Sequence, residues 1–500
     1  MKAQSIGKKY VNGFATLEIL IAFAVLILSI SAVILLAFGN QSIIVDSRTN
    51  SEALYKAQKM LEEARAASRQ DFFSVNSITT TSDDIYQKTL NVIDLTQCEK
   101  QAISTITWNL NPRSQKIELT TFFGDIAGTL ALGGDCAVNP PEEGWTNPQR
   151  FASDTLNPGK TTAIDVLDKI AYLGADKKPY LYIADTRGAV INQIGGMLIG
   201  IASNKFSNDF NKNGDLINII NDIDVYKDSA TSNVYALIAM ASSTAQFAVI
   251  DVTNIHNPNL LAVRKLNNVV PGGMTSHGYR IYYYDKKAFI VTRETAGPEF
   301  HIFDLSSPGN PIELGNGTKL VGPTPPNGTT ANDLVVSDDI AYFAAEKNSA
   351  ELLIYDVLIP SAPSFMSNAT VNLSGNENGS SLYLIGNKLY FGRENVTGAE
   401  LYVFNASNPR TAVGGLSIIG NPSNIGSGIL DMFVIGRFGF IVSGKTNEEF
   451  QVWNISNPED IQNIAKYNFG NIVAGGLDYE PDFIYATGDA TPNFQILYSP

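Results

Sequence analysis

Charge is scarce in this chain. Asp, Glu, Lys and Arg make up 17% of 500 residues, and 35 basic against 49 acidic groups leave a net charge of −14. The clustered Lys and Arg that grip a phosphate backbone are missing, so nucleic acid is not an expected partner. Histidine is rarer still: His256, His277 and His301 are the whole supply. No pair of them has metal-ligand spacing, no G-x-S-x-G elbow is present, and no glycine loop suits a phosphate. The chain is therefore not read as an enzyme; His256 falls in a turn and His301 in a strand, where structural or exposed roles suit them. Cysteine is limited to Cys98 and Cys136. In an oxidising compartment they are expected to form a disulfide, the alternative being two buried free thiols. Proline is absent before Pro112, so nothing interrupts a long N-terminal helix.

The most informative shortage of charge is local. From Ile19 to Phe38 no charged side chain occurs, and about 20 apolar residues in helix suffice to cross a bilayer core. Glu18 stands at the mouth of that run, where a carboxylate is costly unless it finds a partner. Lys8, Lys9, Gly13 and Phe14 precede it. No A-x-A cleavage motif follows the run, as an ordinary secretory signal would require. Further on, Leu54, Ala57, Leu61 and Ala64 recur at helical spacing, opposite Glu52, Lys56, Lys59, Glu62 and Glu63. One helix from Phe14 to about residue 70 is expected, lipid- or subunit-facing in its first half and sheet-facing in its second.

The stretch Gly13-Phe14-Ala15-Thr16-Leu17-Glu18 closely resembles the class III leader of type IV pilins and type II secretion pseudopilins. The resemblance implies that residues 1–13 are a leader, that a prepilin peptidase cuts between Gly13 and Phe14, and that Phe14 becomes a methylated N-terminus. It also implies that Glu18 pairs with the Phe14 amine of a neighbouring pilin subunit, two charges tolerable in apolar surroundings only together. Residence in the inner membrane precedes assembly on this reading. A plain signal anchor is the blander one. Residues 71–144 read as a small sheet and linker, with strands at Thr89–Leu95, Ala102–Leu110 and Gln115–Phe123. Ser104, Ile106 and Trp108 alternate with Ile103, Thr105 and Thr107, so one face can pack on the helix. The arrangement looks like a small α+β pilin head, and Pro140-Pro141 makes a stiff way out.

Glycine, at 41 residues, is plentiful, and from Trp145 the chain repeats. An apolar strand ends in Asp or Asn (Asp251, Asp304, Asp356, Asn405, Asn454), and a proline follows within a few residues (Pro258, Pro311, Pro363, Pro409, Pro458). A degenerate first copy is placed at Asn192 and a last at Tyr498. Steps of roughly 50 residues are the spacing of a four-stranded propeller blade. The pattern resembles the LVIVD-repeat propellers over residues 145–500. The last copy stops before its outer strand, which Arg150–Leu156 would supply, closing a ring. The fold class expected is mainly β: a long N-terminal helix with a small pilin-like head, then a seven-bladed β-propeller. A β-sandwich array and a six-bladed ring are the alternatives.

One stretch suggests a ligand. Asp209, Asn211, Asn213 and Asp215 place oxygen donors at alternate positions around Gly214, like the front half of a calcium loop, so Ca2+ is a candidate cofactor. Its twelfth position is Ile220 rather than an acid, and an Asn/Gly-rich surface turn is the simpler alternative. Tyr279, Tyr282, Tyr283 and Tyr284 form a run that could stack on a sugar. The expected product is a minor pilin-like subunit in the cell membrane, passing once with its C-terminal part outside, that displays the propeller at the cell surface. Its expected role is adhesion, through recognition of a surface glycan or protein ligand. A secretion pseudopilin contacting exported substrate and a membrane-anchored extracellular propeller enzyme are the rivals.

Overall fold

The computed structural model describes residues 14–70, 72, 75, 77–96, 99–110, 113–124, 145–156, 160–177, 180–187, 211–212, 215–216, 219–228, 230–242, 244–270, 277–323, 328–394, 397–470, 474–481, 483–489 and 491–500. The chain divides into two compact units, residues 1–126 and 127–500.

In the first unit the helix α1 (Phe14–Gln70) runs for 57 residues, about 85 Å at 1.5 Å per residue. Its segment Leu17–Leu36 is exposed throughout and, with a mean hydropathy of 3.1 over 20 residues, is long and apolar enough to cross a membrane. The later half packs on an antiparallel sheet of β1 (Ile78–Asp83), β2 (Tyr86–Thr96), β3 (Glu99–Leu110) and β4 (Arg113–Gly124), joined in that order. Ala102, Ser104, Ile106 and Trp108 of β3 are buried, and the residues between them are half-exposed, as the alternation in the sequence predicts. The helical stripe differs by one position from expectation. Ala53, Ala57, Met60, Leu61 and Ala64 face the sheet, whereas Leu54 is 40% exposed. Alanines permit a close approach of helix backbone to sheet, so small size outweighs hydrophobicity at that contact. The polar strand β1 (ITTTSD) carries no apolar alternation by which it could be anticipated.

In the second unit, among the described residues, seven sheets of three or four antiparallel strands follow one another. Their first strands are Thr161–Leu167, Ile220–Lys227, Gly278–Tyr284, Ala331–Ser337, Gly379–Ile385, Ile429–Ile435 and Ala474–Glu480. Each first strand packs beside the first strand of the following sheet, and Ala474–Glu480 packs beside Thr161–Leu167, so the series returns on itself. The arrangement is propeller-like. Tight left-handed turns at Asp168-Lys169, Asp285-Lys286 and Asp338-Asp339 join several first strands to second strands, the backbone that two-residue hairpins favour.

Two side-chain devices recur and explain the repeat. In six of the seven sheets the Asp or Asn ending the third strand accepts a backbone N–H two residues on. Asp251 Oδ1 takes Thr253 N (3.0 Å), Asp304 takes Ser306 N (2.7 Å), Asp356 takes Leu358 N (2.9 Å), Asn405 takes Ser407 N (3.0 Å) and Asn454 takes Ser456 N (3.1 Å). This side-chain turn ends the strand and starts the loop. By the same mark the first copy is Leu181–Asp185, where Asp185 Oδ1 accepts Arg187 N at 3.1 Å. The repeat position is thus Asp185 and not Asn192, which lies outside the described residues. The second device stands one residue before the third strand in six of the seven sheets. Buried Glu299, Glu351, Glu400 and Glu449 accept the N–H of Leu320 (2.9 Å), Leu373 (2.8 Å), Ile425 (2.8 Å) and Phe469 (3.0 Å). Gln246 and Asn493 do the same for Leu266 (3.1 Å) and Leu156 (2.7 Å). Each ties a returning loop to the sheet it has just left or is about to complete.

The final sheet is built from both ends of the unit. Gln149–Asp154 pairs antiparallel with Phe494–Tyr498, Asp154 opposite Phe494 and Gln149 opposite Tyr498. This is the pairing expected from the unfinished last repeat, begun one residue earlier and ended two earlier. Phe151 packs edge-on against Phe483 and Tyr498, with ring centroids 5.1 and 5.9 Å apart.

Candidate functional site

The seven first strands line a channel, and one irregularity sets what faces it. Every one of them carries a bulge at its start, between Thr161 and Ala163, Ile220 and Asp222, Gly278 and Arg280, Ala331 and Asp333, Gly379 and Ser381, Ile429 and Asp431, Ala474 and Gly476. A bulge re-aims the side chains after it. The residue just past the bulge forms an upper tier, in which Asp222, Arg280, Asp333 and Asp431 are the ionisable members. Two residues further on is a lower tier of Asp165, Asp224, Tyr282, Val335, Tyr383, Phe433 and Asp478, which line a cavity of about 360 Å³.

The carboxylates stitch neighbouring strands together. Asp222 accepts Ile281 N (2.9 Å), Asp333 accepts Leu382 N (2.7 Å) and Asp431 accepts Leu477 N (2.9 Å). In the lower tier Asp224 accepts Tyr283 N (2.5 Å), Asp478 accepts Val166 N (2.6 Å) and Asp165 accepts Val225 N. Arg280 makes the corresponding link by donating from Nε to Asn332 O (2.6 Å). Among the described residues it makes no contact ion pair; its guanidinium lies on the Tyr279 ring, 4.8 Å from the centroid, and Arg293 lies 4.4 Å from the same centroid.

Walled by protein, these carboxyls titrate above the range of exposed ones. Burial, reinforced by the charge of Asp431, pushes Asp333 up to about 7, with Arg280 opposing. Burial pushes Asp431 up to about 6. Asp222 is raised by burial against the pull of Arg280. Asp224 is raised well above the carboxylate range by burial and then by Asp165. Asp165 and Asp478 are hydrogen-bonded to each other and both raised, burial being the leading cause, as expected of two carboxyls sharing one proton. Burial works against the Arg280 charge, but Asp222, Tyr279, Asp333 and Asp431 outweigh it and hold the guanidinium above its ordinary value.

No protein-family model matches the chain, and no curated protein matches it. Among solved structures, the WD40 β-propeller domain of Doa1 aligns at a TM-score of 0.42 and 11% identity, over 71% of this chain and 98% of that one. Sqt1 from Chaetomium thermophilum aligns at 0.42 and 11%, over 68% and 82%. The computationally designed protein Ika8 aligns at 0.43 and 11%, over 70% and 99%. Likenesses this distant say nothing of what the chain does, and the propeller-like description above rests on the order and closure of its own sheets.

The residues singled out from sequence are distributed differently. Phe14 opens α1 and Glu18 is exposed one turn in; Gly13, Cys98, Cys136, Asp209 and Asn213 lie outside the described residues. Asn211–Lys212 and Asp215–Leu216 are short antiparallel strands, Lys212 opposite Asp215; the calcium reading otherwise falls outside the described residues. The four tyrosines do not form one platform. Tyr279 is covered on its ring by two guanidinium groups, Tyr283 stacks on Tyr226 at 3.8 Å, Tyr284 accepts Asp338 N at 3.2 Å, and only Tyr282 lines the channel cavity. Strand alternation sends neighbours to opposite faces, which disperses the run. His301 is buried with Nδ1 2.7 Å from Glu313 Oε1, a structural placement. Sequence reading missed the channel carboxylates. Their signal was present as an Asp recurring early in five of the seven repeats (Asp165, Asp222, Asp333, Asp431, Asp478), ahead of the motif that drew attention.

Proposed function

We propose that this chain is a minor pilin-like subunit that carries a seven-bladed propeller outside the cell as a recognition domain. The observation that supports it most is α1. It runs unbroken through the described residues from Phe14 to Gln70 and exposes an apolar segment whose one ionisable group up to residue 45 is Glu18. A membrane-crossing helix needs no second half that also packs on a four-stranded sheet; a subunit built to leave the bilayer and join a fibre does. On this reading Glu18 pairs with the Phe14 amine of the next subunit, and the LVIVD-like repeats form the blades. A head of this size would crowd a continuous shaft, so few copies are expected, at a tip or in a short fibre. The ligand is a surface glycan or protein.

Intact-mass analysis of the mature protein tests this. A first residue of N-methylated Phe14 is expected, and Glu18→Ala is expected to leave the protein in the membrane fraction while abolishing its recovery in sheared fibres. A mature chain that retains Met1 would overturn the reading.

A further inference from the structure

The lower tier of the channel is two-faced. Three consecutive strands around the ring present Asp478, Asp165 and Asp224, and the remaining four present Tyr282, Val335, Tyr383 and Phe433. The cavity between the two walls, lined above by Asp222, Asp333 and Asp431 of the upper tier, is about 360 Å³, within the roughly 300–1,000 Å³ of small-ligand sites. Elsewhere many carboxylates sit on a cation: Asp356 on Arg410 (2.7 Å), Asp83 on Lys56 (2.8 Å), Glu299 on Lys319 (2.9 Å). No Lys, Arg or His lines this cavity among the described residues; Arg280 lies a tier above, held by Asn332 and Tyr279.

We propose that this cavity binds an organic cation, a primary ammonium on an aliphatic chain. The ammonium would meet the Asp478–Asp165–Asp224 wall, and its methylenes would lie along Tyr282, Tyr383 and Phe433, whose ring faces also attract a cation. A bare metal ion fits less well. Among the described residues no three acidic or other ligating groups converge as a metal site, and the carboxylates already accept N–H bonds from the next strand. A chain-borne ammonium needs only one or two of the remaining lone pairs. The inference deepens the recognition role proposed above by naming a ligand class, yet it concerns the channel alone. Its failure would leave the mass of the mature N-terminus untouched, and the converse also holds.

The test is calorimetric titration of the full-length protein in detergent with pentylamine, with its neutral isostere 1-pentanol, with a Gly-Lys-Gly peptide and with calcium chloride. Saturable binding of the amine, one per chain and at least tenfold tighter than the alcohol, is expected. Asp224→Asn keeps an oxygen for Tyr283 N and should weaken the amine at least tenfold; Tyr383→Leu should weaken it several-fold. Tighter binding of the peptide would assign the ammonium to a lysine of a protein partner, and tighter binding of pentylamine to a free amine. Equal binding of alcohol and amine, no saturable binding of either cation, or stoichiometric displacement of the amine by calcium would each overturn the proposal. The amine–alcohol comparison decides it on the unaltered protein should a variant not fold.

Discussion

Glu299, Glu351, Glu400 and Glu449 show what a buried acid can do without chemistry: each accepts loop N–H groups that would otherwise be orphaned. Glu400 takes two, from Ile425 at 2.8 Å and Gly426 at 3.4 Å. Since Gln246 fills the same place in another sheet, Glu400→Gln should leave urea unfolding nearly unchanged. Glu400→Ala should cost about 1–3 kcal/mol, the penalty for stranding buried donors. The channel acids carry a pH signature. Folded Asp333 and Asp431 titrate near 7 and 6, against an ordinary value of 3.8, so the folded state holds more protons between these limits. Their contribution to stability is complete below about pH 4 and is lost as pH rises through 6 and 7. The midpoint of thermal unfolding should therefore fall from pH 5 to pH 8. Asp333 faces Asp431, Asp222 and Arg280, and Asp333→Asn should flatten that fall. Surface acids held low by a cation, such as Asp356 beside Arg410, act in the opposite sense only at more acid pH. These devices were half legible. The terminal Asp or Asn of the five central repeats stood out because a proline follows it, whereas the turning of Asp222, Asp333 and Asp431 into the channel depends on a bulge that no residue type announces.

At the scale of the element, period and size competed. The alternation in β3 was legible through the period-two rule of strands, and the unfinished last repeat through the recurrence of the unit itself. The helix stripe was displaced to Ala53 because a close contact selects small side chains, which hydrophobic spacing does not reveal. Ala57 is fully buried in that contact, so Ala57→Leu should destabilise the helix–sheet unit by about 1–3 kcal/mol through overpacking; chemical denaturation followed at Trp108 would register it. The first repeat was misplaced because Asp185 lacks the proline that marks later copies. Removing strand Gln149–Asp154 by deleting residues 145–156 strips the partner from Phe494–Tyr498 and exposes a sheet edge. The deleted protein should elute as aggregates on size exclusion where the full chain does not.

On the scale of the whole molecule, an apolar helix and a propeller-like body divide the labour of placement and recognition proposed for them. The calcium reading is tested here too: if Asp209, Asn211, Asn213 and Asp215 take an ion, millimolar calcium should raise the unfolding midpoint and a chelator should reverse it, and Asp215→Ala should abolish both effects. The joint between strand Gln149–Asp154 and strand Phe494–Tyr498 has a mechanical corollary. Tension travelling down the chain from the N-terminal side meets the body at Trp145, buried against Phe440, and then at Gln149–Asp154, the outermost strand of the one sheet assembled from both ends. A tethered protein pulled by whatever it holds would thus be strained first at its own clasp, and tightening or loosening that six-residue strand would set the force at which the ring lets go.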